Sequence, residues 1–109
     1  MTSLTLPEPV AAYFKADKLD GETIVRCFTE QAVVKDEGRT YCGSAAIKAW
    51  KIGASTKYSY TSEPFAVVEQ NGGYVVTSRV TGNFPGSPLD LRFAFRLEGG
   101  KIAYLEITP

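Results

Sequence analysis

The sequence predicts an α+β fold in which three N-terminal helices cover the concave face of a curved antiparallel sheet. Three observations carry that expectation. Apolar residues recur at helical spacing before residue 56 and at alternate positions after it. Asn71-Gly72-Gly73, Pro85-Gly86-Ser87-Pro88 and Gly99-Gly100 cut the second half into four extended segments. The alternation slips phase at Glu63-Pro64, where a proline that cannot donate to a strand ladder implies a bulge and a bend. Helices first and strands after, on 109 residues with no linker or repeat, read as one domain spanning 1–109. Folding a chain of this length hides roughly two thirds of its surface, so a core needs neither disulfide nor structural metal.

Pro7 and Pro9 suit a first helical turn, where a missing N–H costs little, and Val10, Tyr13 and Phe14 then share one face. Lys15, Asp17 and Lys18 fall on the wet side. Asp20 is a good N-cap for a second helix with the stripe Ile24, Val25 and Phe28, and the pair forms a helical hairpin. Ala32-Val33-Val34-Lys35-Asp36 reads as a short strand, turned by Glu37-Gly38 into a second extended piece, 39–42. Ser44 caps a third helix whose buried stripe is Ile47, Trp50 and Ala54, with Gly53 weakening its end. Tyr58 and Tyr60 alternate in one register, and Phe65 and Val67 in the opposite one. The clearest strand is 89–98, where Leu89, Leu91, Phe93, Phe95 and Leu97 take one face and Asp90, Arg92, Arg96 and Glu98 the other. A sheet bent this way wraps around helices, leaving a cone-shaped cavity with largely apolar walls, suited to a small apolar molecule.

Composition narrows the chemistry. Twelve Lys plus Arg balance twelve Asp plus Glu, so no concentrated basic face exists to capture nucleic acid, and a neutral surface does little to oppose self-association. There is no histidine, which removes Ser-His-Asp and Cys-His nucleophiles and every His-containing metal site. No metal and no cofactor is expected. Cys27 and Cys42 form no CxxC pair; they read as two reduced thiols packed in the fold, with a single disulfide as the alternative. No window approaches the roughly 20 apolar residues of a membrane span. The segment 1–7 lacks the basic and apolar regions of a leader, so a cytoplasmic location is expected.

Three segments taken together, Val10-Ala11-Ala12-Tyr13-Phe14, Cys27-Phe28-Thr29-Glu30-Gln31-Ala32-Val33-Val34-Lys35-Asp36 and Gly43-Ser44-Ala45-Ala46-Ile47, resemble the nuclear transport factor 2-like superfamily. Within it the chain looks most like SnoaL-like domains, a group that includes polyketide cyclases, with ketosteroid isomerase as a cousin. The resemblance runs from the first helix to the closing strand, 101–107. It implies a cystatin-like α+β roll with a cone cavity and a homodimer formed through the outer sheet face. In the isomerase pattern a first-helix tyrosine donates to the substrate oxygen, an aspartate after the first short strand moves the proton, and a protonated acid on a later strand completes the oxyanion site. By that resemblance Tyr13 and Asp36 are the catalytic candidates, and Phe93 occupies the position of the missing acid. SnoaL-type cyclases pair an acid and a base drawn from His or Asp, and of such groups this chain keeps Asp36.

The residues allow two readings each. Asp36 at the lip of an apolar cone loses hydration, which raises its pKa and makes it a better base; Asp36-Glu37-Gly38 also reads as a solvated turn. A modest rise suffices in ketosteroid isomerase. The Tyr13 hydroxyl faces either a ligand carbonyl or a backbone group in the core. Phe28, Trp50, Phe93 and Phe95 either wall the pocket or fill the core. Arg39 either holds an anionic ligand group at the mouth or makes a surface ion pair. Three functions follow: a cofactor-independent isomerase, cyclase or dehydratase acting on a small apolar carbonyl compound through Asp36 and Tyr13; a module that binds a hydrophobic ligand without turning it over; and a dimerisation domain whose cavity is filled by its own side chains.

Overall fold

The computed structural model describes residues 5–16, 21–57 and 59–109. Asp17, Lys18, Asp20 and Tyr58 lie outside them, as does the side chain of Ala54. Helix α1 (Glu8–Ala16) starts at the proline pair, with the Ala11 N–H donating to the Pro7 carbonyl at 2.9 Å. Its inward face is Val10, Tyr13, Phe14 and Ala16, while Lys15 is exposed, as the spacing predicts. Helix α2 (Gly21–Val25) is a bare turn that buries Ile24.

The second helix ends sooner than its apolar stripe suggests. Phe28 is not helical: it opens strand β1 (Phe28–Asp36), which begins four residues before the expected Ala32. The reason is non-local. The Cys27 carbonyl accepts the Ile102 N–H at 2.8 Å, and β1 runs parallel to β6 (Lys101–Thr108), so partners more than seventy residues away extend the strand. β2 (Arg39–Cys42) folds back on β1 in the expected position, and helix α3 (Ser44–Lys57) follows, with Ile47 and Trp50 buried. Cys27 and Cys42 are free thiols.

β3 (Tyr60–Gln70), β4 (Gly73–Gly82), β5 (Leu89–Glu98) and β6 complete a curved, unclosed sheet in the order β2-β1-β6-β5-β4-β3. All neighbours are antiparallel except β1 with β6. The phase slip is a bulge: Pro64 faces Ser78 and Ala66 faces Thr77, which leaves Phe65 as the extra residue, 53% exposed. β5 has the bounds its alternation predicts. Its inward side chains meet α1 in an aromatic cluster, with edge-to-face ring distances of 5.1 Å for Tyr13–Phe14, 5.5 Å for Tyr13–Phe95 and 5.2 Å for Phe14–Phe93. This cluster closes one end of the cone. No helix among the described residues is long and apolar enough to cross a membrane.

Candidate functional site

The other end of the cone is open. A cavity of about 610 Å³ lies there, walled by Leu89, Leu91 and Phe93 of β5 and by Ile107 of β6, with Phe84 and Pro85 on the loop beside it. Its own side chains do not fill it, which corrects the expectation attached to a pure dimerisation domain.

Asp36, Tyr13, Trp50 and Phe93 all line this cavity. Asp36 is the last residue of β1, placed there by a two-residue hairpin in which Glu37 and Gly38 both take left-handed backbone (φ 54° and 76°) between the paired Asp36 and Arg39. Gly38 adopts that conformation without strain, whereas a side chain such as that of Glu37 costs about 1 kcal/mol there. The Trp50 indole N–H donates to Asp36 Oδ2 at 3.0 Å, which fixes the carboxylate from α3. Burial pushes the Asp36 carboxyl above its ordinary value, and the neighbouring Glu37 adds to this; the indole and the Glu37 amide pull the other way without cancelling it. Tyr13 is 2% exposed, and burial, then the negative fields of Tyr60 and Asp36, push its phenol well up, so it stays a neutral donor.

Phe28, Phe95 and Arg39 do not line the cavity. Phe28 and Phe95 pack against Tyr13 on the closed side, at ring distances of 6.0 and 5.5 Å. The cause in β5 is position along one face: Leu89, Leu91 and Phe93 border the open end, and two residues further on Phe95 is already core. Arg39 is exposed, and among the described residues no ion pair joins it to Asp36 or Glu37.

Two groups that the sequence reading did not select complete the site. Tyr60, at the start of β3, lines the cavity opposite Gly82. A methyl group at Gly82 would lie 2.3 Å from the Ser59 carbonyl oxygen and 2.7 Å from Tyr60 Cβ, so only glycine permits the approach that sets Tyr60 in place. Lys51, next to Trp50 on α3, is buried with its ammonium hydrogen-bonded to the Tyr60 hydroxyl, 5.0 Å from that ring's centroid and 6.0 Å from the Trp50 ring. Desolvation lowers the Lys51 pKa to about 8, while burial and the charge of Asp36 push Tyr60 up to about 12. A signal existed: Lys51 stands four residues after Ile47, on the buried stripe. Ser62, also on the wall, is bonded to Ser78 at 2.6 Å.

Among the described residues no cluster of His, Cys, Asp and Glu could hold a metal ion. The arrangement offers instead a desolvated carboxylate fixed by an indole, and two phenols within reach of its field, facing a space walled by apolar side chains.

No protein-family model and no curated protein sequence matches the chain. Solved structures do. A proposed polyketide cyclase from Sinorhizobium meliloti is 38% identical over 99% of this chain and 100% of its own, with a TM-score of 0.92. A protein of ketosteroid isomerase-like fold from Catenulispora acidiphila, solved with trimethylamine, is 18% identical over 96% of this chain and 87% of its own, at a TM-score of 0.84. A nuclear transport factor 2-like protein from Cytophaga hutchinsonii is 15% identical over 98% and 91%, at 0.75. The last two show likeness of fold alone.

Proposed function

The chain belongs to the nuclear transport factor 2-like superfamily, among its SnoaL-like members, and from that premise we propose that its cavity takes a small, mostly apolar carbonyl compound in which Asp36 moves a proton. The observation that carries this reading is the half-buried Asp36 carboxylate, fixed by Trp50 and turned into an apolar cavity that Tyr13 shares. Asp36 takes a proton from the carbon beside the carbonyl, the C–H electron pair moves toward oxygen, and the neutral Tyr13 phenol donates to that oxygen as charge grows. Asp36 then returns the proton elsewhere. Isomerisation, cyclisation and dehydration share this first step, and none of them requires a cofactor for it. The relative from Sinorhizobium meliloti supports the cyclase version.

The test is hydrogen–deuterium exchange next to the carbonyl of 2-tetralone, a flat enolisable ketone, followed by NMR in heavy water. Exchange is expected with the wild type and should fall by about 100-fold or more in Asp36→Asn. Stability separates chemistry from architecture. A carboxyl whose folded pKa is raised stabilises the fold below its unfolded pKa and loses that contribution as pH rises through the folded value, so ionised Asp36 is a small burden at neutral pH. Asp36→Asn should therefore melt no lower than wild type at pH 7; a large loss of Tm would make Asp36 a structural carboxylate.

A second reading is favoured by the buried Phe93 on the cavity wall, where an acid would complete the oxyanion site of the isomerase cousin. In that reading the protein holds its ligand without turning it over, and saturable binding of 2-tetralone without exchange is its signature. The family resemblance also suggests a homodimer, and light scattering at micromolar concentration should then return twice the mass of the chain.

A further inference from the structure

Ser62 and Ser78 join β3 to β4 with 2.6 Å between their hydroxyl oxygens, and among the described residues neither side chain makes another hydrogen bond. Two hydroxyls bring two protons, and one bond uses one of them. Burial decides which proton is left over. Ser78 is fully buried and borders no part of the cavity, whereas Ser62 lines it. Were Ser62 the donor, the Ser78 proton would be sealed in the core without an acceptor, which costs as much as a hydrogen bond lost outright. With Ser78 as the donor no buried proton is stranded, and the Ser62 O–H is left for the cavity. It stands there in an apolar stretch of wall: Ser62 pairs in register with Val80, Val80 pairs with Leu89, and both border the same space. A hydroxyl that accepts one bond donates more strongly in the next, and in apolar surroundings that bond is worth more than in water.

We propose that Ser62 is a specificity-determining donor of this cavity, with Ser78 as the positioning residue that directs its proton, so that the compounds accepted here carry a second acceptor oxygen at the end away from Asp36. The sheet sets that placement. Asp36 ends β1 and Ser62 lies on β3, with β6, β5 and β4 between them in the curved sheet. Tyr60, whose hydroxyl feels the Asp36 charge, precedes Ser62 by two residues, so Ser62 stands roughly 7 Å further along the strand on the same face. A molecule whose reacting carbonyl lies at Asp36 and Tyr13 therefore presents its far end to Ser62. An apolar far end leaves the hydroxyl proton without an acceptor, while a carbonyl oxygen there receives it. The class selected is thus the diketones and other ketones with a second oxygen, over simple ketones. Ser62 makes and breaks no covalent bond in this role. The inference rests on the reading of the cavity as a ketone site and is independent of proton transfer by Asp36.

The experiment measures, by calorimetry, the affinities of trans-2-decalone and trans-decalin-2,6-dione, two enolisable ketones of one shape that differ by the second carbonyl oxygen. Each protein is first shown to melt cooperatively. Comparing the dione-to-monoketone ratio between proteins cancels the different hydration of the two compounds. In Ser62→Ala that ratio should fall by about tenfold from wild type, while affinity for the monoketone stays within about twofold. This substitution strands the Ser78 hydroxyl, so the double variant Ser62→Ala with Ser78→Ala, which strands nothing, is measured beside it and should show the same loss. Ser78→Ala alone keeps the donor but frees it to rotate, and should lower the ratio by about threefold. A hydroxyl pair that merely ties β3 to β4 would lower the melting temperature of the single variants and leave the ratio unmoved, and that result overturns the proposal while the ketone site stands. A Ser78→Ala ratio equal to wild type overturns the positioning role. If neither ketone binds wild type, the ketone-site reading falls and this inference with it. If the ratio depends on Ser62 while wild type exchanges no deuterium beside the carbonyl, the donor stands and proton transfer by Asp36 falls.

Discussion

The two ends of the cone are built from the same kinds of residue and behave as different materials. At the closed end Tyr13, Phe14, Phe28 and Phe95 meet edge to face with every polar atom outside the cluster except the Tyr13 hydroxyl. At the open end Trp50 and Tyr60 also present rings, but each carries a polar partner, Asp36 on the indole and Lys51 on the phenol. Aromatic rings touch one another at the closed end and touch charged groups at the open one. The closed end draws its free energy from buried area, which is indifferent to pH. The open end buries ionisable groups whose charged forms are disfavoured, so its contribution varies with protonation.

Truncating the closed end should have the largest effect. Phe95 is 1% exposed and touches both rings of α1, so Phe95→Ala should cost about 3–5 kcal/mol in urea denaturation. That cost should be the same at pH 7 and pH 9.5. A loss below about 1 kcal/mol would mean that the cluster collapses around the missing ring, and the contrast between a rigid and a working end would weaken.

Lys51 gives the intermediate effect with the opposite pH behaviour. A lysine whose folded pKa is lowered from 10.5 to about 8 contributes fully above its unfolded value, and that stability is lost as pH falls through the folded one. Between pH 7 and pH 9.5, wild type should therefore gain on the order of 2 kcal/mol relative to Lys51→Met. The window stops short of the phenols' titration, which runs the other way because Tyr13 and Tyr60 are raised. A difference between the two proteins that does not change with pH would place the Lys51 ammonium in water rather than in its buried contact with the Tyr60 hydroxyl.

What the sequence discloses divides along the same line. The closed end follows from periodicity: Val10, Tyr13 and Phe14 on a helix face, and Phe93 and Phe95 on a strand face, are where alternation and helical spacing put them. The bulge at Pro64 was legible because proline has a fixed chemical disability in a ladder. The start of β1 was not, since local pattern favours helix through Phe28 and only the parallel partner Ile102 decides otherwise. Asp36 and Tyr13 could be singled out through a family pattern, but Lys51 could not. A lysine on an apolar stripe reads as a snorkelling surface residue until its partner is known, and Tyr60 lies beyond a helix and a turn. Periodicity likewise cannot tell Phe93, on the cavity, from Phe95, in the core, because both have the same parity and differ only in how far along the cone they sit.

Arg39 tests where the open end stops. It is the hairpin partner of Asp36, and its charge near an apolar mouth makes it an obvious candidate for an anionic ligand group, yet it is exposed and borders no part of the cavity. Solvent screens such a group, and substitution of an exposed residue without a packed or paired side chain usually changes stability by less than about 0.5 kcal/mol. Arg39→Ala should thus leave both the melting temperature and the affinity for 2-tetralone essentially as in wild type, with any change in affinity below about twofold. A tenfold loss of affinity, together with unchanged stability, would mean that the hairpin folds over the bound molecule and that the working end extends past Asp36 to the tip of the turn.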